Sequence, residues 1–179
     1  MTPLLSILVA TTHDRRPVAL DTLIRQSADR PVEVLHLADN GAQSIGAKRN
    51  SLIRIAAGDY VAFVDDDASV TDDYVDTILA ATGEQAEVIA FRAETRCGSV
   101  AVMEIARSLK YPVAWHDVHP ALRQTAPDHT CAVRRDLATR LPFLNSRVGS
   151  EQDWSRQLKT AARSEVVIPK VLYSTEVST

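Results

Sequence analysis

The chain has 179 residues, of which 45% are hydrophobic and 24% charged, and its formal net charge is -3. This composition is typical of a single globular domain, and the small acidic excess argues against a broad nucleic-acid-binding surface. The apolar runs are shorter than the roughly 18 residues that span a bilayer. The two cysteines, Cys97 and Cys131, lack zinc-site or redox-motif spacing. We therefore expect a cytoplasmic protein whose two cysteines are reduced and buried.

The first half of the chain predicts strands that alternate with helices. Apolar runs predict strands at 4–10, 32–37, 60–64 and 88–91, and capping residues predict helices at 17–27, 44–57 and 71–82. The pattern then weakens, and it predicts a strand and a helix within 97–109, a binding loop at 111–128, a strand at 130–133, helices from Asp136 and Ser150, and a strand at 166–173. Together these elements predict an α/β fold with a mostly parallel sheet and helices on both faces.

Acidic side chains follow three of the predicted strands. Asp14 comes after the first strand, Asp39 after the second, and Asp65-Asp66-Asp67 after the third. Because the carboxyl ends of parallel strands meet at one edge of a sheet, where ligands bind, we expect these side chains to converge. Adjacent carboxylates repel one another, and Mg²⁺ or Mn²⁺ would offset that repulsion. A solvated acidic turn is the alternative.

Two cations fall in the first turns of the second predicted helix. The helix dipole disfavours Lys48 and Arg49 there unless an anion such as a diphosphate sits at the helix start. The alternative is a pair of exposed surface cations. Gly46 in the same turn would allow a ligand close to the backbone, or would merely aid packing.

Near the C-terminus, Glu151 and Asp153 are candidate general bases, since a carboxylate can take the proton of an attacking hydroxyl. Both also suit a helix start, where Ser150 and Asp153 resemble a capping box. Trp115 and Trp154 would be able to stack on a sugar or a base, although core packing is the default for each.

The order of these motifs resembles the family 2-type glycosyltransferases with a GT-A fold. The resemblance runs over nearly the whole chain, and its most specific part is the centre, where the Arg-Asn, Gly-Asp and aspartate-triplet motifs recur at the family's spacing. Its segments are Ser6–Arg15, Gly46–Asn50, Ala57–Asp67, Gly149–Trp154 and Lys170–Tyr173.

This resemblance implies one domain over 1–179, with a nucleotide-sugar-binding half at 1–95 and an acceptor and catalytic-base half at 96–179. It implies inverting transfer of a hexose from a UDP-sugar to a hydroxyl, with Mn²⁺ or Mg²⁺ as cofactor. The acceptor would be a glycan or a hydroxylated DNA base.

The family pattern also assigns roles to individual residues. Glu151 takes the place of the family's catalytic Asp, and Ser150 stands where the family has Glu, so Asp153 stays a second candidate base. Asp39 would hold the nucleobase, Asp65 the ribose side of the donor, and Asp67, with Asp65, the metal. The full donor-binding set is Thr11, His13, Asp14, Asp39, Lys48, Arg49, Asp65 and Asp66, and the acceptor-side set is His129, Arg134 and Trp154.

Two other functions remain open from the sequence. Asp65-Asp66-Asp67-Ala68-Ser69 nearly fits the nucleophile motif of haloacid-dehalogenase-type phosphatases, although that motif normally follows the first strand. A non-catalytic nucleotide-sugar-binding module is the other alternative, because Ser150 and Ser174 depart from the family pattern.

Overall fold

The computed structural model describes residues 2–11, 16–145 and 150–177. Within these ranges the helices are Leu20–Ser27 (α1), Ile45–Ile55 (α2), Tyr74–Thr82 (α3), Arg135–Ala138 (α4) and Ser150–Ala161 (α5). The strands are Leu5–Ala10 (β1), Val32–Leu37 (β2), Tyr60–Phe63 (β3), Ala68–Val70 (β4), Val88–Cys97 (β5), Val100–Arg107 (β6), His116–His119 (β7), Leu122–Thr125 (β8), Ala132–Arg134 (β9) and Glu165–Glu176 (β10).

All the strands join one mixed sheet in the order β2-β1-β3-β9-β5-β6-β8-β7, with β10 paired to β5 and β4. Strands β2, β1 and β3 are mutually parallel, as the alternating pattern predicts. Strand β9 enters antiparallel between β3 and β5. The parallel core therefore places the ends of β1, β2 and β3 at one edge of the sheet.

Helices cover both faces of this sheet, in agreement with the prediction. One buried cluster packs α1 and α3 against the sheet through Leu23, Val75 and Ile78. The other packs α2 and α5 on the opposite face through Leu52 and Leu158. Each helix buries an apolar stripe against strands whose side chains point alternately to the two faces.

The second half differs most from the sequence prediction. The helix predicted within 97–109 is wrong, because β5 continues into a hairpin with β6. The predicted loop at 111–128 contains β7 and β8. Cys131 is buried as predicted, but Cys97 is exposed at the hairpin turn. In the described part of the chain, no helix is both long and apolar enough to cross a bilayer.

Candidate active site

Asp65 follows β3 at the edge where the parallel strands end. Its carboxylate accepts a hydrogen bond from Arg49 Nη2 at 2.8 Å and another from the Tyr173 hydroxyl at 2.8 Å. The imidazole Nε2 of His129 lies 3.1 Å from the same carboxylate. Side chains from α2, β10 and the segment before β9 therefore hold Asp65 in one orientation.

These contacts also fix the charge of Asp65. Burial by itself would raise the pKa of Asp65, but contacts with His129, Arg49 and Tyr173 outweigh it and lower the pKa well below its usual range. Burial, followed by the neighbouring Asp65, raises the pKa of Tyr173 well above its usual value. Asp65 is therefore an anion at neutral pH, and Tyr173 is a neutral donor to it.

Arg49 links two carboxylates that come from distant parts of the chain. Its Nη2 donates to Asp65, and its Nη1 donates to Glu151 Oε1 at 2.8 Å. Its side chain is only 3% exposed, and its guanidinium lies 5.4 Å from the ring centre of Phe143. This burial corrects the sequence expectation of a cation that faces an anion at the start of α2. A rigid guanidinium with donors on several sides suits such a bridge better than an ammonium.

Residues next to Arg49 hold its surroundings in place. Asn50 donates through Nδ2 to the Phe143 carbonyl at 2.9 Å and accepts from the Phe143 amide at 2.8 Å. The Phe143 ring stacks on Trp154 with a centroid distance of 5.0 Å, and the indole Nε1 donates to the Leu141 carbonyl. Trp154 is 1% exposed, so its predicted contact with an acceptor is wrong, and it packs in the core instead.

Lys48 ties the ends of β1 and β2 together. Its side chain is fully buried, its Nζ donates to the Thr11 carbonyl at 2.6 Å, and it forms an ion pair with Asp39. The Lys48 hydrogen bond, assisted by the amides of Gln43 and Gly41, lowers the pKa of Asp39. Lys48 therefore positions Asp39 and β1, which corrects the expectation that it contacts a diphosphate directly.

The start of α2 is a packed helix terminus. The Ser44 hydroxyl accepts from the Ala47 amide at 3.1 Å, so the predicted cap is confirmed. A Cβ atom at Gly46 would overlap the Leu144 carbonyl oxygen. Gly46 therefore allows close packing of α2 against the Leu144 backbone.

The other two aspartates of the triplet have different surroundings. Asp66 is 8% exposed, and its carbonyl accepts from the Val18 amide at 3.0 Å. Asp67 is exposed. Among the residues that the structure describes, no three His, Cys, Asp or Glu side chains are grouped so as to hold a metal ion. One exposed carboxylate fits Mg²⁺ or Mn²⁺ that takes its other ligands from phosphates and water.

The two candidate bases, Glu151 and Asp153, have different hydrogen-bond partners. Glu151 accepts from Arg49 and keeps its side chain 53% exposed. Asp153 accepts from Gln157 Nε2 at 2.7 Å, one turn further along α5. Of the two, Glu151 is therefore the one that shares a donor with Asp65 and remains open to solvent.

Two further predicted positions have different outcomes. His129 lies in the Asp65 cluster and is 5% exposed, and its acceptor-side role stays a prediction. Arg134 pairs with Asp136 and lies opposite Tyr60, at the amino end of β3. It lines a cavity of about 620 Å³ at the edge opposite Asp65, so the structure does not bring it together with the candidate base. His13 and Asp14 lie outside the described residues.

Tyr173 and Trp115 gain roles from the structure that their local sequence does not give them. Tyr173 ends a sequence motif that assigns it no role, yet its hydroxyl donates to Asp65. Trp115, one of the two tryptophans considered for stacking, is 54% exposed and lines a cavity beside the start of α5, whereas Trp154 is buried. The Leu-Tyr end of an apolar strand was a usable signal for Tyr173, whereas nothing local distinguishes the two tryptophans.

The fold and the acidic cluster at the strand ends define a GT-A-type α/β domain. The model of the family described as Glycosyl transferase family 2 matches residues 13–138, and the chain belongs to this family. No curated protein matches the sequence.

Solved structures share the fold at low sequence identity. S. aureus TarS 1-349 in complex with UDP-GlcNAc superposes with a TM-score of 0.63 at 15% identity, over 98% of this chain and 59% of that chain. The UDP complex gives 0.62 at 15% identity, over 97% and 60%. A197 from STIV gives 0.53 at 12% identity, over 92% and 81%. This chain thus spans about 60% of the TarS fragment.

Proposed function

We propose that this protein transfers a sugar from a UDP-sugar donor to a hydroxyl acceptor, with inversion at the anomeric carbon. The observation that carries the proposal is the bridge from Asp65 through Arg49 to Glu151, with a hydrogen bond of 2.8 Å on each side. This bridge connects Asp65, at the carboxyl edge of the parallel strands where a nucleotide would bind, to the exposed Glu151 on α5. Membership of the family and the UDP-GlcNAc complex of the TarS fragment support the donor class.

The donor would lie along the carboxyl ends of β1, β2 and β3. Asp39, held by Lys48, would accept hydrogen bonds from the nucleobase, and Asp65 would contact the ribose side. Thr11 and Asp66 lie at the same edge, but both are buried, so any contact with the donor would follow from a small local movement. Because Asp39 and Asp65 are already ionised and held by buried cations, little reorganisation would accompany binding.

Asp67 would hold Mn²⁺ or Mg²⁺ together with the donor diphosphate. When bound, the metal would neutralise charge on the departing UDP. The protein's part is to present one exposed carboxylate two residues beyond the anchored Asp65.

Glu151 would act as the general base. It would take the proton of the acceptor hydroxyl while that oxygen forms a bond to the anomeric carbon and the bond to the UDP oxygen breaks. Arg49 would orient Glu151, since one guanidinium nitrogen already binds its Oε1. Asp153 is the weaker candidate because it binds within its own helix.

Binding and turnover of UDP-GlcNAc test the proposal. Calorimetry with Mn²⁺ and UDP-GlcNAc is expected to give metal-dependent binding, and slow release of UDP is expected without an acceptor. Hydrolysis of simple phosphate esters without nucleotide binding would instead support the phosphatase alternative. The engagement of Asp65 by several donors argues against that alternative, since such a carboxylate is a poor nucleophile. Donor binding with no hydrolysis and no transfer would indicate a binding module.

A further inference from the structure

A second cavity opens beside the first turn of α5. It has a volume of about 340 Å³ and is lined by Val113, Ala114, Trp115, Gln152 and Arg156. Gln152 directly follows the candidate base Glu151. Gln152 and Arg156 are four residues apart, so they lie on the same face of the helix. The cavity therefore lies along α5, beside the helical turn that carries the candidate base.

The indole in this cavity is both accessible and held in place. Trp115 is 54% exposed, and the guanidinium of Arg123 lies 4.8 Å from its ring centre. Arg123 Nε donates in turn to Asp117 at 2.6 Å. The cation–π contact with Arg123 holds the indole in one orientation, so the exposed part of the Trp115 ring is a preorganised platform on which a ligand can stack.

The segment that carries Trp115 is also anchored to α5. Lys159 Nζ, in α5, donates to the Tyr111 carbonyl at 2.7 Å. Thr125 Oγ1, at the end of β8, donates to the Val113 carbonyl at 3.1 Å. These bonds fix the distance between the platform and the helix face, which a binding site of defined geometry requires.

The charges around the cavity favour a neutral polar ligand. Arg123 is paired with Asp117, and Arg156 lies 3.5 Å from Asp153. Since each cation has a carboxylate beside it, the surface lacks the unbalanced positive charge that a nucleic-acid backbone needs. A sugar ring presents C–H bonds to an aromatic face and hydroxyls at its rim, which suits an indole flanked by amide and guanidinium groups.

We infer that this cavity is an acceptor subsite in which a neutral sugar ring of a glycan stacks on Trp115, with its hydroxyls bound by Gln152 and Arg156. The inference rests on the proposed transferase function and narrows its acceptor to a glycan. It also assigns the two tryptophans opposite roles, with Trp115 on the ligand and Trp154 in the core.

Tryptophan fluorescence tests the subsite without any need for catalysis. Trp154 is 1% exposed, so iodide quenching reports Trp115. Cellotetraose, chitotetraose and maltotetraose are titrated at millimolar concentration in the presence of UDP and Mn²⁺, with a single-stranded dT8 oligonucleotide as the contrasting probe. We expect at least one tetrasaccharide to protect Trp115 from iodide and dT8 to leave it quenched. Trp115→Phe serves to confirm which residue gives the quenchable signal.

Kinetics with the tetrasaccharide that protects best provide the second readout. Trp115→Ala is expected to raise the KM for that acceptor by about tenfold, while binding and hydrolysis of UDP-GlcNAc stay unchanged. Trp115→Phe, which keeps an aromatic face, should recover most of the loss. Val167→Ala is the matched control. It shortens an exposed apolar side chain on β10, outside the cavity, and should leave the KM unchanged.

The outcomes separate the two proposals. If UDP-GlcNAc binds but no tetrasaccharide protects Trp115, or dT8 protects it instead, the glycan subsite is wrong and the transferase proposal survives. If UDP-GlcNAc neither binds nor is hydrolysed while a tetrasaccharide protects Trp115, the transferase proposal fails, and the cavity is a sugar-binding site but not an acceptor subsite. An equal loss of donor hydrolysis in Trp115→Ala would reveal a structural role and overturn the subsite.

Discussion

Arg49 and Glu151 are joined by a hydrogen bond of 2.8 Å that crosses from α2 to the first turn of α5. The same guanidinium binds Asp65. Arg49 is thus a positioning residue whose removal would disturb the donor side and the candidate base together.

Replacing Arg49 by Lys tests this bridge. A lysine keeps the charge but presents a single nitrogen, so we expect loss of one charged hydrogen bond, about 2 kcal/mol of unfolding free energy. Urea unfolding measures the change. Arg92→Lys is the matched control, because Arg92 pairs with Glu104 at 2.6 Å with 42% of its side chain exposed. That exposed pair should cost less than about 1 kcal/mol, and equal losses in the two variants would contradict the bridge.

Glu151→Gln and Asp153→Asn form a second matched pair. Loss of a general base costs about 10²–10⁴ in rate, so Glu151→Gln should reduce transfer by that range and leave UDP-GlcNAc affinity unchanged. Asp153→Asn should leave transfer close to the unmodified rate, because Asp153 binds Gln157 in its own helix. Single-turnover transfer and calorimetry make the measurement. The reverse pattern would assign the base to Asp153.

Asp67→Asn tests the metal. Loss of a residue that only hydrogen-bonds to a metal ligand weakens metal affinity by about tenfold or more. Removal of a direct ligand should therefore weaken Mn²⁺-dependent UDP binding by at least about tenfold. Binding of UDP without metal should change little. Titrations of UDP with and without Mn²⁺ give both values, and an unchanged Mn²⁺ dependence would exclude Asp67 as the ligand.

Asp73 gives a prediction for acid pH. Its hydrogen bonds with Lys170 and then Thr71 lower its pKa to about 2, below the ordinary value of about 3.9. As the pH falls, Asp73 is protonated in the unfolded chain at a higher pH than in the folded protein. The stabilisation is therefore present above about pH 4 and is lost as the pH falls through about 2. Asp73 is 44% exposed, so its contribution should stay below about 1 kcal/mol.

Thermal unfolding between pH 2 and 6 measures this effect. Lys170→Met should flatten the pH dependence in that window, and high salt should do the same to the unmodified protein because it screens an exposed pair. A slope unchanged by Lys170→Met would show that Lys170 does not set the acid response.

Much of the first half of the fold is predictable from local sequence. The apolar runs that predict β1, β2 and β3 and the Ser44 cap of α2 are all confirmed, because burial of a short strand and capping of a helix depend on neighbouring residues. Residues 97–125 are less predictable from local sequence. The strands in this segment form through tertiary pairing, such as that between β6 and β8. The alternation of apolar and polar residues along the β5–β6 hairpin is also weak.

For the candidate site, sequence alone determines that acidic side chains follow parallel strands, and hence that Asp39 and Asp65 meet at one edge of the sheet. Only the tertiary structure decides which charged and aromatic side chains turn inward. Lys48 and Arg49 are buried because folding packs α2 against the strand ends that carry Asp39 and Asp65. Trp154 rather than Trp115 is buried because α5 stacks it on Phe143. The physical reason is that strand ends follow from local periodicity, whereas burial of a given side chain depends on partners that the chain brings close only by folding.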